Sequence, residues 1–417
     1  MLGRVGLISV STAISLINSA KYAVTDVEIV GLENAAGRIT AADIISGEDL
    51  PAFLRSTMDG FALNSADTFG ASESIPAYFN VKHEVLMGKL PDFILKPAEA
   101  AKIPTGGTLP EGADSVLMLE HTQKLDDETI EVVKSVAPGE NVISKGDDVR
   151  AWEVIFQKGH MLRPQDTGVL AALGITLVSV HKLPVVAIIS TGDEIVSPKD
   201  SINPGQVRDI NTYTLTALVR AHGGEPVIMG IFRDDYDTIR EAVQKALNCA
   251  DMVLITGGSS VGTMDMTPDI INSFGAPGVI FHGVAIKPGK PAIFGMANGK
   301  PVFGLPGHPS AVMVAFDVFV RRVLRRKLSG LTENGISEEY AGKIRARIGK
   351  NISSLPGRED HIWVKMENRD GELWAIPVLG KSGLIATMAK ADGVIVVGSD
   401  KRGISEGDTV EIRLFQK

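Results

Sequence analysis

Three short segments carry the residues best able to do chemistry: Thr191-Gly192-Asp193-Glu194, Thr256-Gly257-Gly258-Ser259-Ser260-Val261-Gly262, and Gly304-Leu305-Pro306-Gly307-His308-Pro309. Each follows an apolar run of strand character, and in an open α/β sheet the carboxyl ends of strands are where ligands bind. Glycine there lets backbone N–H groups approach a ligand closely, and a helix starting near Pro309 brings a positive dipole end. Those features favour an anion. Lys287 and Lys290, in Lys-Pro-Gly-Lys, add point charges on a turn suited to phosphate. Asp193, Glu194, Asp234 and Asp265 supply carboxylates that a phosphate would repel unless a hard cation stood between them. An anion with Mg²⁺ is the economical chemistry. The bland alternative, in which the two acids shape a turn and the lysines are solvated, loses weight because three loops converge on one edge.

Other motifs carry less. Gly258-Ser259-Ser260-Val261-Gly262 matches the Gly-x-Ser-x-Gly of serine hydrolases, with His282 and His308 downstream. A nucleophile elbow, however, needs its helix directly after the serine, and Thr267-Pro268 starts the next helix several residues later. No Gly-x-Gly-x-x-Gly follows a strand, and Gly380-Lys381-Ser382 has Ala375 where a P-loop has its first glycine. His83-Glu84 lacks the second histidine that zinc on a helix requires. The basic cluster Arg321, Arg322, Arg325, Arg326 and Lys327 sits at a helix C-terminus, where cations complement the dipole. Met58-Asp59-Gly60, Thr105-Gly106-Gly107, Gly146-Asp147-Asp148 and Pro356-Gly357-Arg358 read, on physical grounds alone, as turns.

The elements that must position these residues follow from pattern. From Leu183 strands alternate with helices, the mark of a parallel sheet with crossovers. Strand Val185–Ile189 is a continuous apolar run; a helix over about 212–221 closes at Gly223; strand Pro226–Ile231 leads to a helix from Asp237 to Cys249 with an Asp N-cap and a stripe of Ile239, Val243, Ala246 and Leu247. Strand Met252–Ile255 follows, then a short helix capped by Thr267, a hairpin turn at Asn298-Gly299, strand Pro301–Leu305 and a helix from Ser310 to Leu328. Residues 1 to about 180 read as short strands and turns, with helices near 11–19 and after Pro164. The last stretch, 335–417, returns to short strands that read as a small β-barrel or sandwich. The domain boundaries expected are 1–49 with 149–180 as an N-terminal linker region, 50–148 as an inserted β-rich domain, 181–330 as the α/β domain and 335–417 as the C-terminal domain.

Composition sets the limits. A chain of 417 residues that is 44% apolar is long enough for several packed domains. Lys and Arg number 42 against 50 Asp and Glu, a net charge of −8, which disfavours nucleic acid as a partner. The single cysteine, Cys249, builds no intramolecular disulfide or thiolate metal cluster. No run approaches the roughly 18 apolar residues of a membrane span. Ser9, Ser11, Thr12 and Ser15 interrupt the one stretch that imitates a signal peptide, so the expectation is a soluble cytoplasmic protein with no membrane partner.

Taken together, Met58-Asp59-Gly60-Phe61-Ala62, Pro110-Glu111-Gly112-Ala113-Asp114, Ser190 to Glu194, Gly205-Gln206-Val207-Arg208-Asp209-Ile210-Asn211, Gly257 to Asp265, Lys287-Pro288-Gly289-Lys290-Pro291 and Gly304 to Pro309 resemble the MoeA-type molybdopterin molybdenumtransferases, the gephyrin E-domain-like family. The order and spacing hold across nearly the whole chain. The resemblance implies a multidomain α/β fold: a three-layer, molybdopterin-binding domain with a mostly parallel sheet, a β-rich N-terminal insertion and a C-terminal β-barrel, in a homodimer. It implies that adenylylated molybdopterin and molybdate give molybdenum cofactor and AMP, with Mg²⁺, and that contact with a molybdopterin adenylyltransferase is transient. By carry-over, Gly257, Gly258, Ser259, Ser260 and Gly262, with Pro306, Gly307, His308 and Pro309, cradle the pterin phosphate and adenylate, helped by Lys287 and Lys290. Asp193, Glu194, Asp234 and Asp265 hold the cation or orient the attacking oxygen. Asp59, Thr105 and Asp148 line the cleft from the β domain of the other subunit, with Arg358 and Ser382 near it from the C-terminal domain. His308, where many relatives have Asn, and Gly283, where some have Lys, depart from the pattern, and nothing in the residues separates molybdate from tungstate. An adenylyltransferase and a non-enzymatic scaffold are the two alternatives. The adenylyltransferases are short single-domain chains, and clustered acids beside an anion site have no use in a scaffold.

Overall fold

The structure, a computed structural model, describes residues 6–257, 266–329, 343–378 and 385–415. Gly258, Ser259, Ser260, Gly262, Asp265 and Ser382 lie outside them. The chain divides into two compact units, one of Met1–Val30, Gly37–Ala41 and Ser179–Lys417, the other of Gly31–Ala36 and Ala42–Val178.

The first unit is built on β1 (Val185–Thr191), α1 (Asn211–Ala221), β2 (Glu225–Phe232), α2 (Tyr236–Cys249), β3 (Met252–Thr256), α3 (Met266–Asn272), β4 (Gly278–His282), β5 (Ile286–Lys287), β6 (Ile293–Ala297), β7 (Lys300–Leu305), α4 (Pro309–Ala315) and α5 (Arg321–Ser329). The sheet order is β2-β1-β3-β7-β6-β4. The pairs β1–β2, β1–β3 and β3–β7 are parallel, and β7–β6 and β6–β4 antiparallel. Strand alternation divides the core in two. Val186, Ile188, Met252, Leu254, Phe303 and Leu305 pack against α1 and the long helix that opens at Pro309. Ala187, Ile189, Val253, Ile255 and Val302 pack against α2 and α3. Burial on both faces is why these strands read as unbroken apolar runs. Helix Val10–Ser19 adds Val10, Ala13 and Ile17 to the first layer.

Several boundaries differ from expectation, each for a local reason. α2 starts at Tyr236 because its N-cap is Asp235, whose Oδ1 accepts from the Thr238 backbone N–H at 2.8 Å. α3 starts at Met266, so Thr267 is helical and does not cap, and Pro268 sits in the first turn, where a missing N–H costs nothing. The helix expected from Ser310 begins at Pro309 and passes through a π turn at Phe316–Val320 before α5 ends at Ser329. The Asn298-Gly299 turn is as expected, both residues having positive φ (50° and 72°), which a two-residue hairpin of this hand requires.

In the same unit, β8 (Lys343–Ile348), β9 (Glu359–Arg369), β10 (Glu372–Pro377), β11 (Gly393–Val397) and β12 (Thr409–Leu414) pair in the ring β9-β10-β8-β12-β11, and a β9–β11 pairing closes it. Ile348, Val364, Ala375, Ile395 and Ile412 fill this barrel.

The second unit holds a six-stranded sheet in the order Ser115–Met118, Gly60–Leu63, Glu99–Ile103, Ala77–Glu84, Thr129–Val132, Thr122–Lys124. Its helix, Pro164–Ala172, is fastened by Asp166, 2% exposed. The Asp166 carboxylate accepts from the Arg163 backbone N–H at 2.8 Å and from its Nε and Nη2 at 3.0 and 2.8 Å, and His160 Nε2 lies at 2.7 Å. The Arg163 side chain, against the opposing effect of burial, holds the Asp166 carboxyl well below the usual carboxylate range. A lowered folded-state pKa stabilises above the ordinary value and is lost as pH falls below it. Asp166→Asn is therefore expected to cost about 1–2 kcal/mol at pH 7, and urea unfolding repeated below about pH 4 is expected to show a smaller difference.

Candidate functional site

β1 crosses to β2 on one side through α1, and β3 then joins β1 on its other side, so the strand order reverses between β1 and β3. That switch point is where doubly wound sheets open a crevice. Register places Thr191 beside Phe232, Ser190 beside Thr256 and Thr256 beside Leu305, so the parallel strands end abreast. The Thr191–Glu194, Gly257 and Pro306–Pro309 segments leave from this edge as expected, and a fourth segment, Arg233-Asp234 after β2, joins them. The β4–β6 connection bearing Lys287 and Lys290 turns at the same edge, because His282 and Ile293 are register partners and Ile293 faces Gly304. An added Cβ at Gly289, inside that turn, would lie 3.8 Å from the Ala311 carbonyl of α4.

Glycine is obligatory at Gly257. Its φ is +127°, and a Cβ there would stand 2.0 Å from the Thr191 carbonyl oxygen and 2.6 Å from Thr191 Oγ1. The backbones of the two loops thus touch at the switch point. Asn211, at the start of α1, staples the third: its Nδ2 donates to Thr256 Oγ1 at 2.9 Å and to the Gly307 carbonyl at 2.7 Å, while its buried Oδ1 has no hydrogen-bond partner among the described residues. Asp209, 5% exposed, fixes this helix start by accepting from the Thr212 backbone N–H at 3.1 Å. Neither residue was assigned a role from sequence. Their signal was the Asp-Ile-Asn tripeptide, in which the Asp side chain takes a helix-start N–H and the Asn side chain is free to reach the neighbouring loops.

Asp234 is the electrostatic centre of the described acids. Burial pushes its carboxyl up, the charges of Asp193 and Glu194 push it further, and hydrogen bonds from the Thr191 hydroxyl and Asp193 N–H oppose them. Asp193 and Glu194 are exposed and Asp234 half-buried. Such a set welcomes a hard cation. Among the described residues no three acids, histidines or cysteines are grouped closely enough to hold a metal alone. Mg²⁺ does not need that, because it commonly takes one or two carboxylates with the remaining oxygens from phosphate and water.

His308, the N-cap of α4, makes no side-chain cap. Lys287 is not simply part of a free turn: β5 pairs in parallel with β9 of the barrel, Ile286 opposite Glu359 and Lys287 opposite Asp360. This brings Arg358 to the same neighbourhood. Its Nε and Nη2 donate to Asp360 Oδ1 and Oδ2 at 2.7 and 3.2 Å.

In the second unit Asp59 and Thr105 are brought together. Asp59 Oδ1 accepts from the Thr105 backbone N–H at 2.7 Å and its hydroxyl at 3.0 Å. The backbone N–H of Thr105, then its hydroxyl, lowers the Asp59 carboxyl from its ordinary value, which keeps it charged. Gly60 beside it leaves no room for a side chain, since a Cβ would meet the Leu117 carbonyl at 2.0 Å. Asp148 is exposed, its N–H donating to the Leu50 carbonyl at 3.0 Å, and among the described residues it shares no hydrogen bond with Asp59.

A doubly wound α/β domain with glycine loops and acids at its switch point and lysines on the same sheet edge, joined to a closed barrel and a β-rich second unit, defines a multidomain α/β ligand-binding protein. The comparisons narrow the class. Residues 8–174 match the "MoeA N-terminal region (domain I and II)", residues 187–326 the "Probable molybdopterin binding domain" and residues 345–415 the "MoeA C-terminal region (domain IV)". The molybdopterin molybdenumtransferase of Bacillus subtilis is 33% identical over 396 residues, 94% of this chain and 90% of that one. The crystal structure of a molybdopterin biosynthesis MoeA protein from Pyrococcus horikoshii is similar with a TM-score of 0.81 and 37% identity, covering 99% of this chain and 100% of that one. A second structure from that organism gives 0.84 and 34%, covering 98% and 100%. The chain belongs to the MoeA family. No helix among the described residues is long and apolar enough to cross a membrane.

Proposed function

We propose that this chain is a molybdopterin molybdenumtransferase of molybdenum cofactor biosynthesis: it takes adenylylated molybdopterin and molybdate, and releases AMP with formation of molybdenum-loaded molybdopterin. The observation that carries the reading is the convergence at one sheet edge of glycine backbone, lysines and an acid set centred on Asp234, in a chain of this family. An anhydride between two phosphates and an attacking oxyanion are all negative, so the groups meet only where cations neutralise them. Lys287, Lys290 and Arg358 supply fixed positive charge, the Gly257 and Pro306–Pro309 backbones cradle phosphate, and Asp59, which Thr105 holds charged in the second unit, takes the catalytic role that the family resemblance assigns to it. Mg²⁺ would be held by Asp234 with Asp193 or Glu194, Asp265 being the further acid that the family resemblance assigns to it, and would neutralise charge on the leaving phosphate. Tungstate shares the charge and shape of molybdate and is an alternative substrate. A homodimer in the cytoplasm completes the reading.

Two feeds separate this activity from its nearest rival. With adenylylated molybdopterin and molybdate the purified protein is expected to release AMP, and chelation of Mg²⁺ to stop it. With free molybdopterin and ATP it is expected to release no pyrophosphate. The reverse pattern identifies an adenylyltransferase, and silence in both a scaffold.

A further inference from the structure

Asp360 is a buried carboxylate that the reading above does not use. It stands on β9 with 1% of its surface exposed, and a charge at that depth is costly unless paired. Its partner is Arg358, two residues back on the same face of the chain, bound side-on through Nε and Nη2. That geometry fixes the guanidinium plane and occupies two of its five N–H donors. The donors left over belong to the Nη1–Nη2 end, and the Arg358 side chain, 30% exposed, is within reach of a ligand. Across the ladder Lys287 is the register partner of Asp360, and paired residues of neighbouring strands share a face. Among the described residues no ion pair joins Asp360 to Lys287. The register thus sets Lys287 on the strand beside the Arg358–Asp360 pair, at the edge where β7 delivers the Pro306–Pro309 loop.

We infer that Asp360 is a positioning residue for oxyanion capture: it holds Arg358 so that the outward end of the guanidinium, together with Lys287, binds the tetrahedral dianion that the reaction consumes. The inference rests on the proposed function and adds to it the device that aims the arginine. A purely structural pair makes a different prediction, because its loss lowers stability and slows turnover alike at every oxyanion concentration.

The test titrates molybdate against AMP release at saturating adenylylated molybdopterin, for the natural chain, Asp360→Asn, Asp360→Glu, Arg358→Ala and the Arg358→Ala/Asp360→Asn double variant, with thermal unfolding of each. Asp360→Asn is expected to raise the molybdate concentration for half-maximal rate by about tenfold or more, with the KM for adenylylated molybdopterin changed by less than about twofold. Asp360→Glu, which keeps the charge, is expected to recover part of that loss, and Asp360→Asn to add nothing once Arg358 is Ala. An unchanged half-saturation in Asp360→Asn, or an equal effect with and without Arg358, overturns the inference. If the natural chain shows no oxyanion-dependent AMP release, the functional reading is what fails. Equilibrium dialysis against molybdate alone then decides on Asp360, and equal retention by the natural chain and Asp360→Asn overturns it.

Discussion

Asp59→Asn is expected to lower molybdate-dependent AMP release by about two orders of magnitude or more while leaving the unfolding midpoint where it was. The asparagine is isosteric and keeps an oxygen to accept from the Thr105 N–H and hydroxyl, so the turn that presents it survives. What it loses is charge. Asp59 is exposed and held in its ionised form by Thr105, so its hydrogen bonds are not needed to hold a core together. Asp265→Asn is expected to behave in the same way. Near-normal turnover in both variants, measured as AMP released per enzyme at saturating substrate, would defeat the assignment.

Gly257→Ala is expected to damage both stability and activity. The methyl group has no place to go: two backbone segments already meet there, and the obstacle is a carbonyl oxygen at 2.0 Å, not the end of a flexible side chain. Forcing β1 and β3 apart at the switch point is expected to cost about 3 kcal/mol, from overpacking together with a φ that alanine rarely adopts. Displacement of the phosphate loop is expected to lower AMP release by about 100-fold. Gly299→Ala is the control, since it too has positive φ, +72°, but nothing lies within 4 Å of its Cβ. It is expected to cost about 1 kcal/mol and leave the rate unchanged. Equal losses in the two variants, read by urea unfolding and AMP release, would mean that the glycine serves backbone freedom and not the contact.

The contrast between these residues shows what a sequence can disclose. The parallel strands were legible because burial on both faces leaves unbroken apolar runs, and α2 because its stripe of Ile239, Val243, Ala246 and Leu247 has helical period. The edge that carries the glycine loops followed from the same pattern, since the loops after β1, β3 and β7 must leave from one side of a parallel sheet. Contacts between distant segments were not legible. That Gly257 touches Thr191, that Asn211 staples Thr256 to Gly307, and that Thr105 grips Asp59 are facts of tertiary register, and no local spacing encodes them. Asp360 was missed for a related reason. In sequence it is one more acid after Arg358, and only the pairing of β5 with β9 brings it opposite Lys287. The helix starts shifted by a residue or so because capping is settled by side-chain geometry, as when Asp235 rather than Asp237 takes the Thr238 N–H.

The site serves an oxyanion and a phosphoanhydride together only if both are substrates of one reaction. The direct test is AMP release from adenylylated molybdopterin by the purified protein with Mg²⁺, run in parallel with molybdate, with tungstate and with neither. The account predicts slow release without oxyanion and strong stimulation by molybdate, tungstate reporting how finely the site distinguishes the two. Equal release in all three contradicts it.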